Sequence, residues 1–62
     1  MCESSVYFEK GGKEDLILKD VVFVRPKNGS VYIEDILGES KTIEGKIDHI
    51  DLMSHKVVIS GD

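Results

Sequence analysis

Apolar and polar residues alternate along most of this chain, and Gly-rich or Asn-Gly punctuation interrupts them at roughly ten-residue intervals, the pattern of a small all-β protein. No stretch sustains a helical apolar stripe over three turns. Cys2 to Glu9 reads as a first strand, with Cys2, Ser4, Val6 and Phe8 on one face and Glu3, Ser5, Tyr7 and Glu9 on the other. The Lys10-Gly11-Gly12-Lys13 segment supplies a tight turn. Glu14 to Arg25 then holds two apolar groups, Leu16 to Leu18 and Val21 to Val24, separated by Lys19-Asp20. They predict two short strands meeting at a bend or bulge, the second being the candidate central strand.

Asn28-Gly29 within Pro26 to Ser30 suits a primed hairpin turn, and Pro26 limits pairing at that end. Val31 to Leu37 returns as a strand, but Val31 and Ile33 fall in one phase and Ile36 in the other, which predicts a bulge or one helical turn near Glu34-Asp35. The same test applied to Lys41 to Leu52 sets Ile43 and Ile47 against Ile50 and Leu52, with the slip near Asp48-His49. Ser54 to Lys56 makes a last turn and Val57 to Ser60 a last strand. The expectation is one domain, residues 1–62, forming an SH3-like barrel of five to six short antiparallel strands, closed so that few edges stay exposed.

Length sharpens this picture. A chain of 62 residues buries only about 60% of its unfolded surface, so the core is thin and stability is marginal without added support. One cysteine cannot form an internal disulfide, which leaves a metal, self-association or tight packing. Eight Lys/Arg against twelve Asp/Glu give a formal net charge of −4, which argues against a surface built to neutralise phosphates. With no apolar run long enough to span a bilayer and no signal-peptide pattern, the expected location is the cytoplasm, where a lone thiol stays reduced.

Residues suited to chemistry at neutral pH are few: Cys2, His49, His55 and the α-amine. A nucleophilic cysteine needs a base and an oxyanion site, and no signature places either histidine beside Cys2, so catalysis is not expected. His55, in a predicted turn, and His49, beside Asp48, read as solvated residues. One Cys and two isolated His also fall short of a structural zinc site. Cys2 admits two readings. It is either a small apolar residue opening a strand or a ligand that uses the terminus as its neighbour. Its thiolate with the backbone nitrogen, or with its own α-amine should Met1 be removed, closes a five-membered chelate suited to square-planar Ni(II) or Cu(II). Two such chelates from two chains complete a site, so this second reading carries a homodimer with its axis near Cys2.

The opening Met1 to Tyr7 (MCESSVY), the KGGK turn, the valine-rich hairpin from Asp20 to Ile33 and the closing Gly45 to Ile59 together resemble the CooT family, small accessory proteins for nickel insertion into carbon monoxide dehydrogenase. Met-Cys also opens the HypC-type hydrogenase maturation proteins, but the small-residue and proline pattern that follows there is not matched by Glu3 to Val6. The CooT resemblance implies a non-catalytic homodimer with an SH3-like barrel that binds Ni(II) through Cys2 and works with carbon monoxide dehydrogenase or its maturation machinery. Two alternatives accompany it. One is a small RNA-binding module, for which Tyr7 with Lys10 and Lys13 is the candidate patch while Phe8 and Phe23 read as core. The other is a metal-independent adaptor that docks on a larger enzyme through a sheet edge, with Tyr32 and Val57 as exposed hints.

Overall fold

The computed structural model describes residues 3–61, and all its regular structure is strand. Six strands follow in chain order: β1 (Ser4–Lys10), β2 (Lys13–Lys27), β3 (Ser30–Asp35), β4 (Ser40–Glu44), β5 (Lys46–Asp51) and β6 (Lys56–Ser60). They form one sheet in the order β4-β3-β2-β1-β6-β5. The all-β class is as expected, but the sheet is not closed by hydrogen bonds, and β4 and β5 are its two ends. Four neighbouring pairs are antiparallel and one, β1 with β6, is parallel. Parallel pairing requires a long connection, and here the whole of β2 to β5 serves as that connection.

Alternation fixes which face of each strand meets the core. Val6 on β1, Val21 on β2, Val31 and Ile33 on β3, and Val57 and Ile59 on β6 form the buried cluster, with Phe8, Ile17, Leu18, Val24, Ile43 and Ile47 packed around it. The two strands expected between Glu14 and Arg25 are one long strand. It bends where Asp20 takes a left-handed φ of 59° and its pairing slips between Val21 and Phe23. Before the bend it pairs with β1 and after it with β3, so one strand serves both halves of the sheet. The slip also turns Phe23 outward, 41% exposed, and Val22 is exposed as well. This segment is therefore not the most buried strand. That place belongs to β6, whose Val57, Val58 and Ile59 are all buried.

The turns obey the same local chemistry. Gly11 and Gly12 both have positive φ, 62° and 82°, as a primed two-residue hairpin requires. In the β2–β3 turn only Gly29 does, at 77°, so the primed geometry expected of Asn28-Gly29 is not adopted. Beyond β3 the phase change predicted near Glu34-Asp35 is a turn held by Asp35. This buried carboxylate accepts hydrogen bonds from the Leu37 and Glu39 amides at 3.0 and 2.8 Å. The slip predicted near Asp48-His49 falls in β5 between Ile47 and His49.

Candidate functional site

Cys2, the residue to which sequence reasoning assigned the chemistry, lies outside the described residues. What the structure does place is the sheet end from which it departs. Ser4 pairs with Val21 of β2 on one side, and on the other Ser5 pairs with Lys56 of β6 and donates its amide hydrogen to the His55 carbonyl at 2.8 Å. The start of β1 is thus an inner strand held from both edges within three residues of Cys2 in the sequence.

Two apolar turns flank that point. The β3–β4 turn begins at Ile36, whose amide donates to the Asp20 carbonyl at 2.9 Å, beside the Ser4–Val21 pair. The β5–β6 turn ends at His55, the residue that bonds to Ser5. Leu37 in the first turn is 88% exposed, and Leu52 and Met53 in the second are 82% and 92% exposed. Exposed apolar residues are ordinary singly; these three lie in the two turns whose ends are tied beside the start of β1. Their positions follow from loop residues that have no strand face to hide on.

The second turn is built by a carboxylate. Asp51 accepts from the Met53 and Ser54 amides, both at 3.1 Å, and from the Ser54 hydroxyl at 3.3 Å. The Ser54 amide bond is the main cause that holds its pKa below the ordinary carboxylate value. Lys56 is tied across β1 to Glu14 at 2.6 Å and rides over the Tyr7 ring at 5.0 Å. The Glu14 hydrogen bond is the first cause that raises its pKa. Tyr7 is therefore partnered by Lys56 on its strand face.

Both histidines are exposed, as the sequence suggested. His49 Nδ1 lies 2.7 Å from Asp48 Oδ2. Because a carboxylate only accepts, the ring donates there from Nδ1 and leaves Nε2 toward solvent. His55 closes the turn in a left-handed conformation, φ 53°. Among the described residues no three His, Asp or Glu side chains are grouped to hold a metal ion, and no helix is long and apolar enough to cross a membrane.

One feature escaped sequence reasoning. On the outer face of the β2–β3 hairpin, Phe23, Arg25, Lys27 and Tyr32 line a shallow cavity. The signal was present in the i, i+2, i+4 spacing of Phe23, Arg25 and Lys27, but reading Phe23 as core concealed it.

Comparison with known proteins covers nearly the whole chain. An uncharacterized protein of Methanothermobacter thermautotrophicus is 39% identical over 59 residues, spanning 95% of this chain and 88% of its own. Another uncharacterized protein, from Archaeoglobus fulgidus, is 31% identical over 45 residues, 73% of this chain and all of its own. A crystal structure assigned to CooT of Carboxydothermus hydrogenoformans superposes with a TM-score of 0.88 at 31% identity, covering 98% of each chain. The family model for CooT, described as a CO dehydrogenase accessory protein, matches residues 1–60. The chain therefore belongs to the CooT family of CO dehydrogenase accessory proteins.

Proposed function

We propose that this protein is a cytoplasmic, non-catalytic nickel carrier for the maturation of carbon monoxide dehydrogenase, and that it binds Ni(II) as cargo through the Cys2 thiolate and a neighbouring backbone nitrogen in a homodimer. The observation that carries the reading is the anchoring of the start of β1. Ser4 and Ser5 are held between β2 and β6, so a ligand at Cys2, two positions before Ser4 in the sequence, is tethered to an anchored strand. A carrier needs such a tether, which limits the geometries its cargo can take.

The homodimer follows from donor arithmetic. One Cys2 contributes two donors, a thiolate and a nitrogen, and a square-planar ion takes four, which a second chain supplies. The exposed Leu37, Leu52 and Met53 around the strand start supply apolar surface that such an association would bury. A thiolate ligand must first lose its proton, near pH 8.5 in an unperturbed thiol, so nickel affinity rises with pH across the neutral range.

Side-by-side nickel titration of the reduced wild type and Cys2→Ala, with mass measured in solution, tests the proposal. The expected result is one nickel per two chains with thiolate-to-nickel absorption in the wild type, and neither in the variant. Unchanged stoichiometry and absorption in Cys2→Ala would remove Cys2 from the role.

A further inference from the structure

We propose that the outer face of the β2–β3 hairpin is a docking site for an acidic, extended segment of a partner protein, which sets carboxylates against Arg25 and Lys27 and one apolar side chain between Phe23 and Tyr32. Directly paired strand residues point to the same side, so the register defines this face. Phe23 stands opposite Glu34, Arg25 opposite Tyr32, and Lys27 opposite Ser30, while Ser40, Thr42 and Glu44 of β4 continue the rows. The opposite face of β3 carries Val31 and Ile33 into the core.

Arg25 lies 5.4 Å from the centre of the Phe23 ring and Lys27 lies 5.9 Å from that of Tyr32. Neither side chain has a carboxylate partner or a hydrogen bond among the described residues, whereas Lys56 has Glu14. Aromatic support holds each charge in place without consuming its N–H donors. Two positioned cations with free donors call for an anion, and paired oxygen acceptors suit the arginine fork.

Ring geometry and the neighbouring charges select the anion. Phe23 and Tyr32 meet edge to face, 72° apart with centroids 6.1 Å apart, so they form no parallel slot for a base, and each already carries a cation over its ring. Glu34 and Glu44 bracket the two cations along the rows, so a continuous phosphate backbone would meet like charge at both ends. Isolated carboxylates beside an apolar side chain avoid that repulsion. The cavity, about 270 Å³, falls below the roughly 300–1,000 Å³ of small-molecule sites and suits a single side chain. Pro26, which lacks an N–H, blunts the adjoining β2 edge and favours contact through side chains over strand addition.

This site is independent of nickel, and its test keeps the two readings apart. A capped Ser-Asp-Leu-Glu-Ser peptide, its Asn/Gln counterpart and a short oligouridylate would each be titrated into 15N-labelled full chain. The acidic peptide is expected to give saturable shifts centred on Phe23, Arg25, Lys27 and Tyr32 that weaken with salt, identically in Cys2→Ala. The Arg25→Gln/Lys27→Gln pair should weaken binding about tenfold or more, while Arg25→Lys, which keeps the charge but loses the fork, should weaken it by a smaller factor. An unchanged amide spectrum away from the hairpin shows that the variants are folded. Shifts elsewhere, no saturation, equal binding of the Asn/Gln peptide, or tighter binding of oligouridylate at the same residues would each overturn the proposal.

Discussion

A single glycine decides where the sheet turns its last corner. Gly45 separates β4 from β5, holds φ at 139° and donates its amide hydrogen to the Gly29 carbonyl at 3.0 Å. A Cβ at this position would overlap the Ser60 carbonyl and press on the Gly61 backbone, neither of which a rotamer change can relieve. Such a conformation costs another residue about 1–3 kcal/mol before any overlap is counted. A domain of this length holds only about 3–9 kcal/mol in total. Gly45→Ala is therefore expected to lower the urea midpoint markedly, whereas Gly11→Ala meets no neighbouring atom and bears only the backbone strain. The sequence offered little warning of this break. Ile43 and Ile47 are an even number of positions apart, so their common phase runs straight through Gly45 and conceals the corner. At Val21 and Phe23 the error ran the other way, since their even spacing promised one shared face and the bulge between them removed it.

At the scale of elements, the legible parts are those specified by local chemistry. Short-range glycine signals placed the hairpins, and phase slips revealed the Asp35 turn and the β5 irregularity because each displaces an apolar residue by one position. The parallel pairing of β1 with β6 left no comparable trace. Its partners are some fifty positions apart, and alternation within a strand says nothing about the direction of its neighbour. The β5–β6 turn shows how a local device becomes measurable. The Asp51 pKa lies below the unfolded value of about 3.9, so its contribution is complete above that value and is lost as pH falls through the lower folded one. The Met53 and Ser54 amide resonances should move together below about pH 4. In Asp51→Asn, which retains an acceptor but has no charge to lose, that movement should vanish. If it persisted, some other acid would control the turn. Lys56 has the opposite sign. Its raised pKa keeps the Glu14 tie in force below the ordinary lysine value and releases it only as pH rises through the folded one.

For the whole molecule, thinness is the governing constraint. The chain spans 30 × 23 × 15 Å, so its short dimension admits little more than two sheet layers at their usual spacing of about 10 Å, and the buried cluster contains only Val and Ile. Truncating one of its two isoleucines illustrates the narrow margin, since Ile59→Ala should cost about 2–5 kcal/mol, a loss that a domain of this size barely survives. Any ligand bound only by the folded state should then shift the melting temperature visibly. At a free nickel concentration a hundredfold above Kd the linkage amounts to about 2.7 kcal/mol per site. Shared by two chains this becomes roughly half for each, or about 5–10 °C at the 4–8 °C per kcal/mol typical of such small domains. A shared site adds a second signature, because dissociation on unfolding makes the melting temperature rise with protein concentration when nickel is present. Cys2→Ser, differing by one atom at a position ahead of the first strand, should retain the metal-free melting temperature and lose both effects. A shift of equal size in Cys2→Ser would mean that nickel is held by surface groups such as His49 or His55. A wild-type shift that did not depend on protein concentration would mean that each chain binds its nickel alone, and the argument for a shared site would fail while the argument for Cys2 survived.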